Sequence, residues 1–197
     1  IVINGSGTVT GISVGGLPDG IVDAGTLATN SVDSAELIDG AVDASHLADG
    51  NNTPAFEVYM SANMTSVGAA YTKMEFDSEE FDTDSAWDTT NYRFTVPAGE
   101  DGKYVFHANM YFNIVGATTT YNDFSQLHIY KNGANIAHNY QHVGGHSDGN
   151  NVSVILNLVA TDYIEFYCQT TGGTGPAYAT IYTSNSIQRT RAYGYKL

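Results

Sequence analysis

The chain has 197 residues, with 21 acidic side chains against seven basic ones and a formal net charge of −14. Hydrophobic residues make up 42% of the sequence, which argues against disorder of the whole chain. The charge argues against a nucleic-acid partner and a polybasic membrane anchor, because both depend on clustered Lys and Arg. No apolar run is long enough to span a bilayer, so we expect no membrane insertion.

Three decapeptides follow one another near the amino terminus and repeat three positions in register. The matched residues are Val22, Val32 and Val42; Asp23, Asp33 and Asp43; and Leu27, Leu37 and Leu47. One Val and one Leu in ten residues return too little burial to offset an ordering cost of about 1–2 kcal/mol per residue. The repeat therefore predicts a stalk over residues 1–52 in which parallel chains share a core, with a flexible acidic linker as the alternative.

The next feature is an acidic segment between residues 73 and 90. Its seven carboxylates are Glu75, Asp77, Glu79, Glu80, Asp82, Asp84 and Asp88. Closely spaced acids predict a solvated loop, with a calcium site or an acid–base pair for glycan cleavage as alternatives. Trp87 in this segment would either stack on a sugar or pack on its own sheet.

Residues 53–197 predict an all-β head domain, because short alternating runs are separated by turn residues. In the clearest run, Lys103–Val115, one face carries Tyr104, Phe106, Ala108, Met110 and Phe112. The expected strands are 56–60, 71–76, 92–96, 103–115, 124–131, 135–140, 151–159, 163–169 and 189–197. This pattern is typical of an antiparallel sandwich, in particular a jelly roll of about ten strands.

The head resembles the globular head of complement component one, subcomponent q, a family that belongs with the tumour-necrosis-factor jelly rolls. The resemblance rests on Tyr92-Arg-Phe-Thr-Val-Pro97 followed by Gly102-Lys-Tyr-Val-Phe106. Further motifs occur in the matching order: Leu127-His-Ile-Tyr-Lys-Asn-Gly133, Asp162-Tyr-Ile-Glu-Phe-Tyr167 and Tyr193-Gly-Tyr-Lys-Leu197. The resemblance implies a head that forms a homotrimer, with both of its termini at one end. The turn Ala98–Asp101 is longer than the family pattern, and no Gly-X-Y repeat precedes the head.

The decapeptides resemble those that precede such heads in bacteriophage tail fibres. The combination implies the distal part of a tail fibre in the virion, attached to upstream fibre or tail proteins. The resemblance implies that the head binds a host cell-surface glycan or outer-membrane protein through loops at its tip. A purely structural trimerisation head is one alternative and a glycan-degrading enzyme is another, although we predict no enzyme and no catalytic residue.

Strand direction, combined with termini at one end, predicts which loops lie at the far end of the head. They are residues 113–123, 139–150 and 170–186. These loops mix Tyr with Asn, Thr and Gly, a composition typical of recognition loops on a rigid scaffold. The predicted receptor-binding residues are Thr119, Tyr121, Asn122, Tyr140, His142, His146, Tyr178 and Tyr182.

Two further groups contain residue types that can react or bind a metal. His138, His142 and His146 recur every four residues, but they span a strand end and a loop, so we predict surface histidines and no metal. One His from each chain around an ion on a threefold axis is the alternative, and calcium or another ion is the only cofactor left open. Cys168, the single cysteine, is predicted to be a small buried hydrophobe.

Overall fold

The computed structural model describes residues 52–115, 124–143, 147–171, 178–183 and 190–197. Residues 1–51, which carry the repeats, lie outside the described residues. The described residues form thirteen strands: β1 (Ala55–Tyr59), β2 (Met64–Val67), β3 (Thr72–Lys73), β4 (Ser78–Asp82), β5 (Trp87–Asp88), β6 (Arg93–Thr95), β7 (Gly102–Val115), β8 (Phe124–Lys131), β9 (Ala134–His142), β10 (Ser147–Leu158), β11 (Tyr163–Thr171), β12 (Tyr178–Ile181) and β13 (Arg191–Lys196). This part of the chain contains no helix that is long and apolar enough to cross a membrane.

The strands assemble into two antiparallel sheets. The seven-stranded sheet has the order β2-β12-β7-β13-β1-β4, with β10 paired along β7. The six-stranded sheet has the order β5-β6-β11-β8-β9, with β3 paired to β11. The predicted all-β jelly-roll sandwich is therefore confirmed. The strand count exceeds ten because several elements are only two to five residues long.

The core lies between the two sheets, and β7 is its central strand. Five alternate side chains of this strand were predicted to share one face, and all five are buried: Tyr104, Phe106, Ala108, Met110 and Phe112. Their partners across the sandwich are aromatic: the Phe94 ring centroid lies 5.6 Å from that of Phe106 and 5.1 Å from that of Phe56. The period of two in the sequence thus marks the buried face correctly.

Trp87 belongs to this core. Only 5% of its surface is exposed, and its indole Nε1 donates a hydrogen bond of 3.1 Å to the carbonyl oxygen of Phe76. Its ring lies 5.0 Å from the ring of Phe56. Of the two roles left open for this residue, packing on its own sheet is the one observed, and it cannot present its ring to a sugar.

The acidic segment is not one solvated loop, and that expectation is wrong. It contains β4, which pairs with β1 at the edge of the seven-stranded sheet, and β5, which pairs with β6. Its carboxylates accept backbone hydrogen bonds: Asp82 from the Trp87 amide at 2.8 Å and Asp88 from the Asn91 amide at 2.9 Å. Hydrogen bonds from Asn91 above all lower the pKa of Asp88. The acids therefore hold turns, as short acidic side chains commonly do.

Residues 139–150 do not form one long loop either. The segment contains the end of β9 and the start of β10, and its polar side chains join the edges of the two sheets. Asn139 Nδ2 donates to Asn150 Oδ1 at 2.9 Å, and Asn150 Nδ2 donates to Ser125 Oγ at 3.0 Å. Gln141 Nε2 donates to Asp148 Oδ2 at 2.9 Å. The composition resembles that of a loop, but these polar groups have partners on other strands.

The first and last strands of the head enter and leave at the same end. Ala55 pairs with Tyr195, and the Leu197 amide donates to the Lys103 carbonyl at 2.8 Å. The compact turn at Asn132 and Gly133 lies at this end too, and its backbone φ values of 51° and 78° are those of a tight hairpin turn. We call this the base of the head.

Candidate functional site

The predicted site residues are divided between strands and undescribed segments. Four lie outside the described residues and stay predictions: Thr119, Tyr121, Asn122 and His146. Tyr140 and His142 belong to β9, which continues two residues beyond its predicted end because it stays paired with β8. Tyr178 opens β12, so the prediction of one loop over residues 170–186 is wrong. Tyr182 follows the same strand.

The strand pairings bring the strand ends that flank the predicted loops together at the end of the head opposite the base. Phe124, the first residue of β8, pairs with His142 at the end of β9 and with Thr171 at the end of β11. In the other sheet, Val115 at the end of β7 pairs with Tyr178. The predicted position of these strand ends is confirmed, and we call this end the tip.

An exposed group of rings, the tip patch, lies on the six-stranded sheet at the tip and consists of Phe124, Tyr140 and His142. Tyr140 is 44% exposed. Its ring stacks on Phe124 with 4.9 Å between centroids and meets His142 edge-on at 5.0 Å. Cross-strand pairing of β8 with β9 produces this arrangement, since Phe124 is directly opposite His142 and Gln126 is opposite Tyr140. Each ring is thereby held in position by a neighbour before any ligand binds.

A second group of rings, the His128 cluster, lies on the same outer face nearer the base. Its members are Tyr71, His128, Tyr130, His138 and Tyr167. Centroid distances are 4.9 Å between Tyr71 and His128, 5.4 Å between His128 and His138, and 4.4 Å between Tyr130 and Tyr167. Sequence reasoning assigned no binding role to these residues. Alternation in β8 could have placed His128 and Tyr130 with Phe124, but the contributions of Tyr71 and Tyr167 depend on tertiary structure.

His128 is buried at the centre of this cluster although it faces outward from the sheet. Burial above all, together with the neighbouring His138, lowers its pKa to about 4. Asn135 Nδ2 lies 2.9 Å from His128 Nδ1, so the neutral ring accepts at Nδ1 and carries its proton on Nε2. The imidazole is therefore an uncharged donor at neutral pH.

Tyr182 does not join the tip patch. Its ring contacts Tyr111 of the seven-stranded sheet at 6.0 Å, and its carbonyl accepts a hydrogen bond of 2.7 Å from Thr190 Oγ1. The Tyr182 amide donates to the Tyr111 carbonyl at 2.9 Å. Of the predicted binding residues, Tyr140 and His142 thus lie on the six-stranded sheet, whereas Tyr182 packs on the seven-stranded sheet.

The outer face of the seven-stranded sheet is a separate surface, which we call the assembly face. It carries His107, whose ring stacks on Tyr193 at 4.9 Å and whose Nδ1 lies 2.7 Å from Ser153 Oγ. On β10, the large aliphatic side chain of Ile155 is 64% exposed. A shallow cavity of about 390 Å³ on this sheet is lined mainly by apolar groups, among them Phe81 and Tyr195.

Two kinds of reactive site, a metal centre and a cysteine nucleophile, can be checked in the described part of the chain. No group of three or more His, Cys, Asp or Glu side chains there is arranged to hold a metal ion. Cys168 is fully buried, as predicted, and burial raises the pKa of its thiol to about 12. A thiol in that state is a poor nucleophile.

No protein-family model matches the sequence, and no curated protein matches it. Solved structures do resemble it. Murine APRIL is 12% identical with a TM-score of 0.52, and the match covers 73% of this chain and 98% of that one. The fold is a jelly roll similar to that of APRIL. The globular domain of zebrafish complement 1qA protein is 15% identical with a TM-score of 0.47, covering 73% of this chain and 96% of that one. The Eiger TNF of S. frugiperda is 13% identical, also with a TM-score of 0.47, over 73% of this chain and 91% of that one.

Proposed function

We propose that this chain is the distal part of a bacteriophage tail fibre whose head binds a receptor on the host cell surface. The observation that carries the proposal is the tip patch. The rings of Phe124, Tyr140 and His142 are held together at the tip. The tip is opposite the base, and the first strand of the head begins at the base. An adhesive fibre needs its recognition surface at that distal end.

The decapeptide repeats support the fibre part of the proposal. Each unit offers one Val and one Leu, which suits a shaft built from parallel chains better than a separate globular domain. Residues 1–52 then form the stalk and residues 53–197 the head, in a virion whose upstream fibre or tail proteins continue the shaft. The proposal assigns no reaction and no cofactor.

The head is proposed to be a homotrimer that associates through the assembly face. Ile155 exposes an apolar side chain there, and the stacked pair of His107 and Tyr193 presents a flat surface beside it. Removing such surface from water favours association by about 25 cal/mol per Å². Three copies of the tip patch on one particle convert weak single contacts into avidity.

A mutation in the assembly face tests the trimer separately from receptor binding. Ile155→Glu places a charge where an apolar contact is proposed, so we expect light scattering to show monomers with an unchanged circular dichroism spectrum. Val159→Glu is a comparison variant near the base, because Val159 is also an exposed aliphatic residue at 52%. A wild-type head that is already monomeric, or an Ile155→Glu head that stays trimeric, contradicts the assigned interface.

The alternative is a purely structural trimerisation or capping head, which the assembly face favours because it needs no ligand. Binding of fluorescently labelled trimeric heads to a panel of bacterial strains separates the two functions. Tyr140→Ala should reduce the fraction of labelled cells at least tenfold. Val159→Ala, which removes an exposed apolar side chain (52%) near the base and outside the tip patch, should leave it unchanged. A folded Tyr140→Ala trimer that adsorbs like wild type sinks the receptor-binding function and leaves the structural one.

A further inference from the structure

The tip patch and the His128 cluster lie on one face of one sheet, and the strand register connects them. Three cross-strand pairs of β8 and β9 follow one another on this face: Phe124 with His142, Gln126 with Tyr140, and His128 with His138. Strand β11 extends the same rows, with Gln169 opposite Gln126 and Tyr167 opposite His128. Because alternate residues are about 7 Å apart along a strand, the rows form a platform of rings with amide side chains between them.

The platform is nearly free of charge in a strongly acidic chain. Strands β8 and β9 contain no carboxylate, and their single formally charged side chain is Lys131 at the base. Lys131 is engaged with Asp162 at 2.7 Å. On β11 the carboxylate of Glu165 pairs with Lys73 at 2.5 Å. Arg93 is also on this face, and its Cζ lies 5.0 Å from the centroid of the Tyr163 ring. Along β8 and β9 a ligand therefore meets rings, amides and imidazoles, while the net charge of −14 repels polyanions.

Unpaired polar atoms give an independent indication. Among the described residues, three buried side-chain nitrogen or oxygen atoms lack a hydrogen-bond partner: Arg93 Nε, His128 Nε2 and Gln169 Oε1. Register places all three side chains on this same outer face, since Arg93 is opposite Glu165 and the other two belong to the rows above. An unpaired buried polar group costs about 1–3 kcal/mol, so three on one face call for an explanation.

Two of these side chains, His128 and Gln169, contact one short segment, residues 69–71. Gln169 Nε2 donates to the Ala69 carbonyl at 2.5 Å, and the Tyr71 ring lies edge-on against His128. Tyr71 itself is 54% exposed and so is only lightly held. Movement of the segment that carries Ala69 and Tyr71 would open His128 Nε2, a donor, and Gln169 Oε1, an acceptor, to a ligand.

We propose that this outer face, from Tyr140 at the tip to Tyr71 nearer the base, binds an uncharged glycan. Sugar rings lay their apolar C–H faces on aromatic side chains, and Tyr combines such a face with a polar handle. Sugar hydroxyls both donate and accept, so one chain of pyranoses satisfies the unpaired donor of His128 and the unpaired acceptor of Gln169. The inference rests on the proposed receptor-binding function and names the chemical class of the receptor.

Affinity electrophoresis tests the ligand class directly, because the acidic head migrates well in native gels. The probes are dextran, mannan and amylose as neutral polysaccharides and alginate as a polyanion. We expect retardation by at least one neutral probe and none by alginate. Tyr140→Ala and Tyr71→Ala should each raise the apparent Kd about tenfold, as expected for the loss of one ring contact. Tyr140→Phe keeps the ring and should retain most of the binding, and Val159→Ala, near the base, is the control outside the platform.

The outcomes distinguish the inference from the proposed function. Retardation by no neutral probe, by alginate only, or equally for wild type and Tyr140→Ala overturns the glycan inference. If Tyr140→Ala nevertheless abolishes adsorption to cells, the receptor is a protein and the receptor-binding function stands. A further readout excludes a merely structural role for the covering ring: the bound neutral probe should shift the imidazole NMR resonances of His128, and an unchanged His128 signal in the saturated complex also overturns the inference.

Discussion

Gly194 lies in the middle of β13, and its missing side chain makes room for two core rings. A Cβ atom at this position would lie 2.5 Å from Phe106 Cδ1, 2.8 Å from Phe106 Cε1 and 3.0 Å from Phe56 Cε1. Carbon atoms pack best at about 3.5–4.0 Å, so Gly194→Ala requires Phe106 to move by roughly 1 Å. The ring is fully buried and has Phe94 at 5.6 Å and Tyr104 at 6.0 Å, so it has little room to do so.

Overpacking of this kind destabilises a protein by about 1–3 kcal/mol, partly offset by the roughly 0.5–1 kcal/mol that replacing a strand glycine returns. We therefore expect Gly194→Ala to lower the free energy of unfolding by about 2.5 kcal/mol at most, and the melting temperature by about 5–10 °C at that upper value. Gly149→Ala in β10 is the matched control, because its Cβ would meet nothing closer than the Met110 carbonyl at 3.6 Å.

Urea unfolding followed by circular dichroism measures both variants at one fixed protein concentration, since association makes stability concentration-dependent. Gly149→Ala should be unchanged or slightly more stable. Equal stabilities of the two variants, or a Gly194→Ala head as stable as wild type, would show that the Phe106 ring relaxes freely and would refute the packing argument.

Three further predictions concern titratable groups. Hydrogen bonding to Lys131 above all lowers the pKa of Asp162 to about 2, so its stabilising effect is complete above pH 4 and is lost as the pH falls towards 2. The difference in unfolding free energy between wild type and Asp162→Asn should shrink over that range, and a constant difference would contradict this. Burial lowers the pKa of His128 to about 4 in the folded head, so between pH 6.5 and 4 the unfolded chain binds a proton that the folded head does not. The free energy of unfolding should therefore fall as the pH drops from about 6.5 towards 4. His128→Phe should reduce that slope in parallel melts, and an unchanged slope counts against it. Cys168, whose thiol pKa is raised to about 12, should resist a thiol reagent at pH 8 until urea unfolds the head, whereas rapid labelling of the native head would contradict its burial.

Local alternation in the sequence was enough to locate the long strands. The bounds of β8 match the prediction, and β7 differs by one residue, because each has a continuous apolar face with a period of two. The Asn-Gly pair at 132 and 133 predicted its hairpin turn for an equally local reason. The short strands β2, β4, β5 and β12 were not predicted, since two to five residues carry too little periodicity, and the acidic side chains of β4 and β5 indicate solvent.

In the candidate site, too, some residues could be predicted from the sequence and others could not. Tyr140 and His142 could be selected from composition and strand direction, although they prove to lie on a strand. Their partner Phe124, and the link to Tyr71 through His128, depend on pairings between residues that are distant in sequence. The sequence by itself determined a β-rich head after a repetitive acidic segment, because alternation and repetition are properties of neighbouring residues. Only the tertiary structure decided which rings share a face and which polar atoms stay unpaired, because both depend on the register of strands that the chain brings together from far apart.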